Sequence, residues 1–219
     1  SSGQTWRGEI INRRKDGECY TEYEIIVGTL GKNKLIDQLV KAKKIDVSEL
    51  KGKWESFVIT TIENPQPGTK KSLVIVGSDK RGTIFGVYEL SQQLGVSPWY
   101  WWADVPAKQR QSAYVLPGRY ASGEPKVKFR GLFINDEAPC LTSWVKNTYG
   151  TDHGDHRFYA RVFELILRLK GNYLWPAMWG WAFYADDPMN SKVADEMGVI
   201  IGTSHHEPMA RNHQEWTRN

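Results

Sequence analysis

Two short polar segments contain the side chains that could carry acid–base chemistry. The pair Asp136-Glu137 brings two carboxyl groups together, and the run Ser204-His205-His206-Glu207-Pro208 places two imidazoles beside another carboxyl group. Carboxylates and imidazoles are the groups that most often donate or accept protons in catalysis. An Asp-Glu pair taken alone also caps helices or forms ion pairs, so both interpretations of Asp136 and Glu137 stay open at this point.

Metal chemistry and covalent chemistry are not favoured by these residues. Zinc hydrolases bind their ion through spacings such as His-x-x-x-His, whereas His205 and His206 are adjacent, and adjacent histidines rarely share one ion. The sequence lacks the Gly-x-Ser-x-Gly segment that presents a serine nucleophile, and Cys140 has no recognisable activating neighbour. We therefore expect neither a metal ion nor another cofactor.

Two further polar segments are predicted to be structural. One of them precedes a helical pattern, where polar side chains usually cap the helix; its members are Asp152, His153, Asp155 and His156. The other, residues 77–82, contains two glycines and lies between a strand pattern and a helix pattern. Because it matches neither glycine fingerprint of phosphate-binding loops, we expect it to be a tight turn.

Tryptophan is unusually abundant and is clustered along the chain. The sequence contains ten tryptophans, which include Trp99, Trp101 and Trp102 in one group and Trp175, Trp179 and Trp181 in another. Flat indole rings outside a regular apolar stripe favour a flat, weakly apolar ligand, of which a sugar ring is the commonest. Packing of the same rings between two domains is an equally good explanation at this stage.

The elements that must position these residues differ between the two halves of the chain. In the first half, β-branched or apolar runs predict strands and apolar residues at helical spacing predict helices. The predicted strands are Tyr23–Thr29, Phe57–Ile62 and Leu73–Val76, and the predicted helices are Lys32–Ile45 and a second that Ser78 or Asp79 caps and Gly95 ends. The segment Pro117–Pro125 is rich in turn residues and is interpreted as the domain boundary.

From residue 127 onward, strand and helix patterns alternate regularly. The predicted order is strand 127–134, helix 158–169, strand 172–178, helix 187–197, strand 199–203 and the start of a helix at 209–216. Such a βαβαβα order is the repeating unit of a parallel sheet. The fold class is therefore predicted as α/β.

The polar and aromatic candidates all follow a predicted strand of this second half. Asp136 and Glu137 follow the first strand, Trp179 and Trp181 the second, and His205 with its neighbours the third. Ligand sites in parallel α/β folds lie just beyond the carboxyl ends of the strands. The alternation therefore predicts that these side chains converge.

Composition and charge exclude several classes of protein. The chain has 219 residues, 40% hydrophobic and 25% charged, which is typical of globular proteins with one or two domains. The net charge of +4 is too small for a nucleic-acid-binding surface, and no apolar run approaches the ~20 residues that span a bilayer. We expect no nucleic-acid partner and no membrane partner.

Five longer phrases, taken together and in this order, resemble a known family. They are Gly77–Tyr88, Gly95–Pro106, Asn135–Pro139, Asn172–Trp179 and Gly202–Met209. They resemble glycoside hydrolase family 115, the xylan α-1,2-glucuronidases, closely over about residues 70–219 and in outline before that.

The resemblance implies an N-terminal α/β domain (1–120) followed by the first three βα units of a (β/α)8 TIM barrel (127–219), an incomplete chain. It implies an inverting enzyme that removes glucuronic acid or its 4-O-methyl ether from glucuronoxylan or its oligosaccharides. The general acid and base would then lie in the remaining C-terminal part of the polypeptide. The residues implied to be catalytic are Asp136 and His205, and those implied to bind substrate are Trp179, Trp99, Glu137, His206 and Glu207.

Two other interpretations stay open. One is a non-catalytic polysaccharide-binding module that uses the tryptophan clusters, and the other is a different barrel glycosidase, such as a hexosaminidase. Because xylan lies outside cells, the resemblance implies an extracellular or periplasmic location, and a homodimer is possible.

Overall fold

The chain divides into two compact units, Ser1–Lys126 and Val127–Asn219. This computed structural model describes residues 23–107, 109, 113–135, 138–176 and 180–202. The predicted helix at 209–216 lies outside the described residues. In the described ranges, no helix is long and apolar enough to cross a membrane.

The first unit is built on a four-stranded mixed sheet. The strands lie in the order β1-β3-β2-β4, with β1 parallel to β3, and β2 antiparallel to both of its neighbours. The strands are β1 (Tyr23–Thr29), β2 (Phe57–Glu63), β3 (Lys71–Gly77) and β4 (Arg119–Ser122), and the helices are α1 (Lys34–Lys41) and α2 (Lys80–Gln93). A single 3₁₀ turn, Ser48–Leu50, lies between α1 and β2.

Helix α1 covers one face of this sheet. Its buried residues Ile36 and Leu39 belong to a core cluster with Ile26, Val58 and Val74. The helix is shorter than the predicted Lys32–Ile45, for two local reasons. Its amino end is capped by the Asn33 side chain, which accepts hydrogen bonds from the Leu35 and Ile36 N–H groups at 3.0 and 3.2 Å. Beyond its carboxyl end, Lys43 adopts a positive φ of 55°, which a helix cannot continue through.

Helix α2 packs through Phe85 and Gly86, and a Cβ at Gly86 would lie 2.5 Å from the Ile75 side chain. Ile75 alternates along β3 with Val74 and Val76, which join the α1 cluster, so the two helices lie on opposite faces of the sheet. The Asp79 side chain caps α2 by accepting from the Gly82 N–H at 2.7 Å. The turn predicted for residues 77–82 is therefore confirmed as a structural feature.

Strand β4 was not predicted, because its residues lie in the segment interpreted as a domain boundary. Pro117 and Gly118 precede the strand and Gly123 follows it, so the turn residues flank a short strand instead of forming one linker. The strand pairs with β2 in an antiparallel register. The first unit thus continues past residue 120, where the predicted domain ended, to Lys126.

The second unit contains a three-stranded parallel sheet in the order β5-β6-β7. The strands are β5 (Gly131–Phe133), β6 (Tyr173–Trp175) and β7 (Ile200–Ile201), and the helices are α3 (Cys140–Tyr149), α4 (His156–Arg168), α5 (Phe183–Asp186) and α6 (Met189–Met197). Strands and helices alternate as predicted, and the parallel order is confirmed. Helices α3 and α5 were missed.

Side chains replace strand pairing in front of β5, which explains why that strand is shorter than predicted. The Asn172 side chain accepts from the Arg130 N–H at 2.9 Å and donates to the Lys128 carbonyl at 2.7 Å. The Arg130 guanidinium donates to the carbonyls of Lys170 and Val127 at 2.8 and 2.6 Å. These bonds, which we call the Arg130–Asn172 clamp, satisfy backbone groups that a longer strand would have paired.

Candidate functional site

The carboxyl ends of β5, β6 and β7 lie at one edge of the second sheet. The three strands are parallel and adjacent, with Phe133 paired to Trp175 and Leu174 paired to Ile201. The loops that contain the predicted site residues therefore begin next to one another. Asp136, Glu137, Trp179, His205, His206 and Glu207 themselves lie outside the described residues.

One face of this sheet presents aromatic rings. Leu174 is fully buried, whereas the preceding Tyr173 and the following Trp175 project from the opposite face because side chains alternate along a strand. Their ring centroids are 5.8 Å apart in an edge-on arrangement. Phe133 and Trp175 are 43% and 42% exposed, so the aromatic face is open in the described part of the chain.

Gly202, the residue after β7, lies directly beneath two of these rings. A Cβ atom placed on Gly202 would be 2.0 Å from Tyr173 Oη and 2.5 Å from Trp175 Nε1. Only a residue without a side chain allows both rings to occupy this position. Sequence analysis missed this group, although the i, i+2 spacing of Tyr173 and Trp175 on a predicted strand was a usable signal.

The polar loop before α4 is a capping structure, as predicted. The Asp155 carboxylate accepts from the Arg157 and Phe158 N–H groups at 2.9 and 3.2 Å, and the Arg157 guanidinium also donates to it at 2.8 Å. Burial raises the pKa of Asp155, but the hydrogen bonds from Arg157 and Phe158 outweigh burial and leave that pKa below its ordinary value.

Asp187 joins the starts of two helices. One of its carboxylate oxygens contacts the His156 ring nitrogen Nδ1 at 2.7 Å and the His156 N–H at 2.9 Å, and the other accepts from the Met189 N–H at 2.9 Å. Burial raises the pKa of Asp187, yet these hydrogen bonds hold it below its ordinary value. His156 therefore serves helix packing in this structure.

Trp181 lies against the same loop. Its ring centroid is 5.9 Å from that of His153, whose Nδ1 contacts the Asp152 carboxylate at 3.0 Å. Trp181 also lines a small pocket with His153 and Tyr159. The sequence grouped Trp181 with Trp179 as a candidate for the site, but the structure packs its ring beside the loop that leads into α4.

Trp99 belongs to the first unit and is the one predicted site residue that the structure describes. It lies in a turn where the Ser97 hydroxyl accepts from the Trp99 N–H at 3.1 Å, and its side chain is 43% exposed. The neighbouring rings of Trp101 and Trp102 pack edge to face with centroids 4.8 Å apart. The turn therefore presents Trp99 as an accessible flat ring.

The described residues contain no group of three or more His, Cys, Asp or Glu side chains arranged to hold a metal ion. Asp136, Glu137, His205, His206 and Glu207 lie outside these ranges, so the expectation that no metal binds remains a prediction.

Comparison with known proteins identifies relatives of this chain. The sequence profile of glycosyl hydrolase family 115 matches residues 122–219. The solved structure of a novel family GH115 4-O-methyl-α-glucuronidase, BtGH115A, with specificity for decorated arabinogalactans is similar with a TM-score of 0.72 at 39% identity. That similarity covers 83% of this chain and 23% of the other, so this chain spans about a quarter of that relative's length. A comparison with curated protein sequences found no significant match.

The matched region contains all the candidate site residues except Trp99. It begins at Ser122, the last residue of β4, and includes β5, β6, β7 and the three loops that follow them. The five sequence phrases, the family profile and the solved structure all indicate the same family. The chain belongs to glycoside hydrolase family 115.

Proposed function

We propose that this chain forms part of an α-glucuronidase that removes glucuronic acid or 4-O-methylglucuronic acid from a polysaccharide with inversion. The observation that carries the proposal is the family 115 match over residues 122–219, which includes three parallel strands with polar and aromatic loops at one edge. Sites in parallel α/β folds form at that edge.

We propose further that β5, β6 and β7 are the first three strands of a (β/α)8 barrel that follows an N-terminal α/β domain. Parallel sheets are normally covered on both faces. Helix α4 packs on one side of β6, where Leu174 is buried, while Phe133 and Trp175 leave the opposite face open. In a (β/α)8 barrel, the face opposite the helices points into the interior, where side chains of the other strands cover it.

The proposed site residues keep the roles that the resemblance implies. Asp136 and His205 orient the sugar or the catalytic water, and Trp179 and Trp99 provide flat surfaces for the sugar ring. Glu137, His206 and Glu207 complete the binding set. Inverting hydrolysis needs two carboxyl groups about 6.5–9.5 Å apart so that a water fits between one of them and the sugar. The protonating acid is proposed to lie outside these 219 residues.

The substrate is proposed to be glucuronoxylan or its oligosaccharides. The enzyme in the similar solved structure has specificity for decorated arabinogalactans instead, but it is also a 4-O-methyl-α-glucuronidase. The acid is therefore the common feature, and the identity of the polymer backbone is a finer question that activity assays on both polymers answer.

The direct test uses the intact protein with glucuronoxylan and with glucuronic-acid-decorated arabinogalactan. We expect release of the sugar acid, and we expect Asp136→Ala and His205→Ala to reduce kcat by about 100-fold, because a misplaced sugar or catalytic water slows the chemical step by about that much. Glu63→Ala, at the exposed end of β2, is the control that keeps activity. Binding of xylan without release would favour the binding-module alternative.

Stereochemistry is tested separately. Proton NMR during the first turnovers should show the β-anomer of the released acid before mutarotation. An initial α-anomer would contradict inversion.

A further inference from the structure

Two neutral hydrogen-bond donors lie close together on the open face of the second sheet. The Tyr173 hydroxyl and the Trp175 indole nitrogen are among the three nearest atoms to a Cβ built on Gly202, at 2.0 and 2.5 Å. In the register of the sheet, Tyr173 pairs with Ile200, two residues before Gly202. The Tyr173 ring therefore leans along the strand direction, toward the carboxyl edge.

Gly202 is what makes this arrangement possible. Its own N–H donates to the Leu174 carbonyl at 2.9 Å, which holds its backbone against β6. With the backbone fixed there, any side chain on this face would occupy the space of the Tyr173 hydroxyl and the Trp175 indole. The absence of a side chain thus lets both donors lie against the same backbone atom, Gly202 Cα, and therefore close to each other.

The chemistry of the two groups specifies what that atom can be. An indole N–H can only donate, and a phenolic O–H can donate while accepting elsewhere. An atom that receives both bonds must be an acceptor with two available lone pairs. A carboxylate oxygen fits best, because hydrogen bonds to an ionised acceptor are about twice as strong as bonds between neutral groups.

We infer that Tyr173 and Trp175, held over Gly202, bind a carboxylate oxygen of the sugar acid. This inference rests on the proposed function, since it deepens the substrate recognition of the same site. It makes these residues determinants of specificity for an acidic sugar over a neutral one. No proton is transferred by either group.

The test measures binding directly, so that it does not depend on turnover. The intact protein is titrated calorimetrically with D-glucuronate and with D-glucuronamide, in which a neutral amide replaces the carboxylate. Tyr173→Phe and Trp175→Phe each keep an aromatic ring and remove one donor. We expect each variant to bind glucuronate about tenfold more weakly and to lose less affinity for the amide, whose carbonyl oxygen still accepts hydrogen bonds but carries no charge.

Gly202→Ala tests whether the two donors depend on the missing side chain at this position. Because its methyl group would displace both donors, we expect a larger loss of glucuronate affinity than in either single-donor variant. When Gly202→Ala is added to Tyr173→Phe, the further loss of glucuronate affinity should be smaller, because the hydroxyl oxygen nearest the new methyl group is already absent. Tyr120→Phe, which removes the same hydroxyl from β4 in the first unit, is the matched control and should bind like the wild type.

The outcomes separate the inference from the proposed function. Unchanged glucuronate affinity in Tyr173→Phe and Trp175→Phe, with or without a lowered melting temperature, would show a purely structural role and overturn the inference. Equal losses for the acid and the amide would overturn the carboxylate assignment. Failure of the wild-type protein to release glucuronic acid would instead count against the proposed function, whatever the titrations show.

Discussion

At the scale of single residues, Asp155 ties down the start of α4 in the second unit. Its carboxylate is nearly buried and accepts hydrogen bonds from two backbone N–H groups and from the Arg157 guanidinium. The helix buries seven residues, among them Phe158 and Val162, so its start is tied to the core of the unit.

We expect Asp155→Ala to lower the free energy of unfolding of the second unit by about 1–2 kcal/mol, the usual effect of losing a helix cap. Urea denaturation of the intact protein, followed by circular dichroism, measures the change. Asp155→Ser keeps a capping oxygen and should recover about half or more of the loss. A stable Asp155→Ala variant would show that the cap is dispensable.

Asp155 and Asp187 also predict a pH dependence of stability. Both have a folded-state pKa below the unfolded value of about 3.9. Between the two pKa values the unfolded chain binds more protons than the folded chain does. Their contribution is therefore fully present above the unfolded pKa and is lost as pH falls through the folded pKa.

The melting temperature of the wild type should accordingly fall as the pH drops below about 4. The double variant Asp155→Asn/Asp187→Asn should show a flatter decline, because two of the responsible groups no longer titrate. Calorimetry between neutral and strongly acidic pH measures both curves. Parallel curves would assign the acid sensitivity to other carboxyl groups.

At the scale of secondary-structure elements, two close approaches determine how helices and strands fit. In the first unit, a Cβ on Gly82 would lie 2.3 Å from the Ser56 carbonyl oxygen, so α2 can begin beside β2 only with glycine there. In the second unit, the Arg130–Asn172 clamp holds the entrance to β5 against the loop before β6.

We expect Gly82→Ala to destabilise the first unit by about 1–3 kcal/mol, because the added methyl group meets rigid backbone. Gly123→Ala is the control, since a Cβ there has no neighbour within 4 Å. Chemical denaturation of both variants gives the comparison. Equal stability of the two would mean that α2 can shift to accommodate the methyl group.

We expect Asn172→Ala to destabilise the second unit by about 1–3 kcal/mol, because Asn172 is almost fully buried and its removal leaves backbone groups of Lys128 and Arg130 without that partner. Gln92→Ala, at an exposed position of α2, is the control for truncating an amide side chain. A difference below about 0.5 kcal/mol between the two would contradict the clamp's role.

At the scale of the whole molecule, the division into two compact units falls between Lys126 and Val127. Residues 126–129 are exposed, and Arg130 begins the clamp that anchors the second unit. The connection is thus short and accessible. On one side of it β4 pairs with β2, and on the other side Arg130 is held in the clamp.

Limited trypsin digestion under native conditions tests this connection. Among the lysines and arginines that the structure describes, we expect Lys126 to be cleaved first, because exposed segments outside helices and strands are preferred sites of proteolysis. Mass spectrometry of the early fragments identifies the cut. Earlier cleavage inside α2 or α4 would show that one of the units opens more readily than the connection.

Much of the fold followed from local patterns that act over a few residues. The β-branched runs predicted β1, β2 and β3, and the capping residues Asn33, Asp79 and Asp155 begin helices because a side-chain oxygen satisfies nearby N–H groups. Strand β4 escaped this reasoning, since its pairing with β2 depends on a partner about sixty residues away and not on its own composition.

The candidate site divides in the same way. Sequence alone determined the family, the alternation of strands and helices and the segments that follow each strand, because those are properties of contiguous residues. Only the tertiary structure brought Tyr173 and Trp175 over Gly202 and bound His156 to Asp187. Such contacts join residues about thirty positions apart in the chain, and they form only once the parallel strands have set their register and the helices have packed.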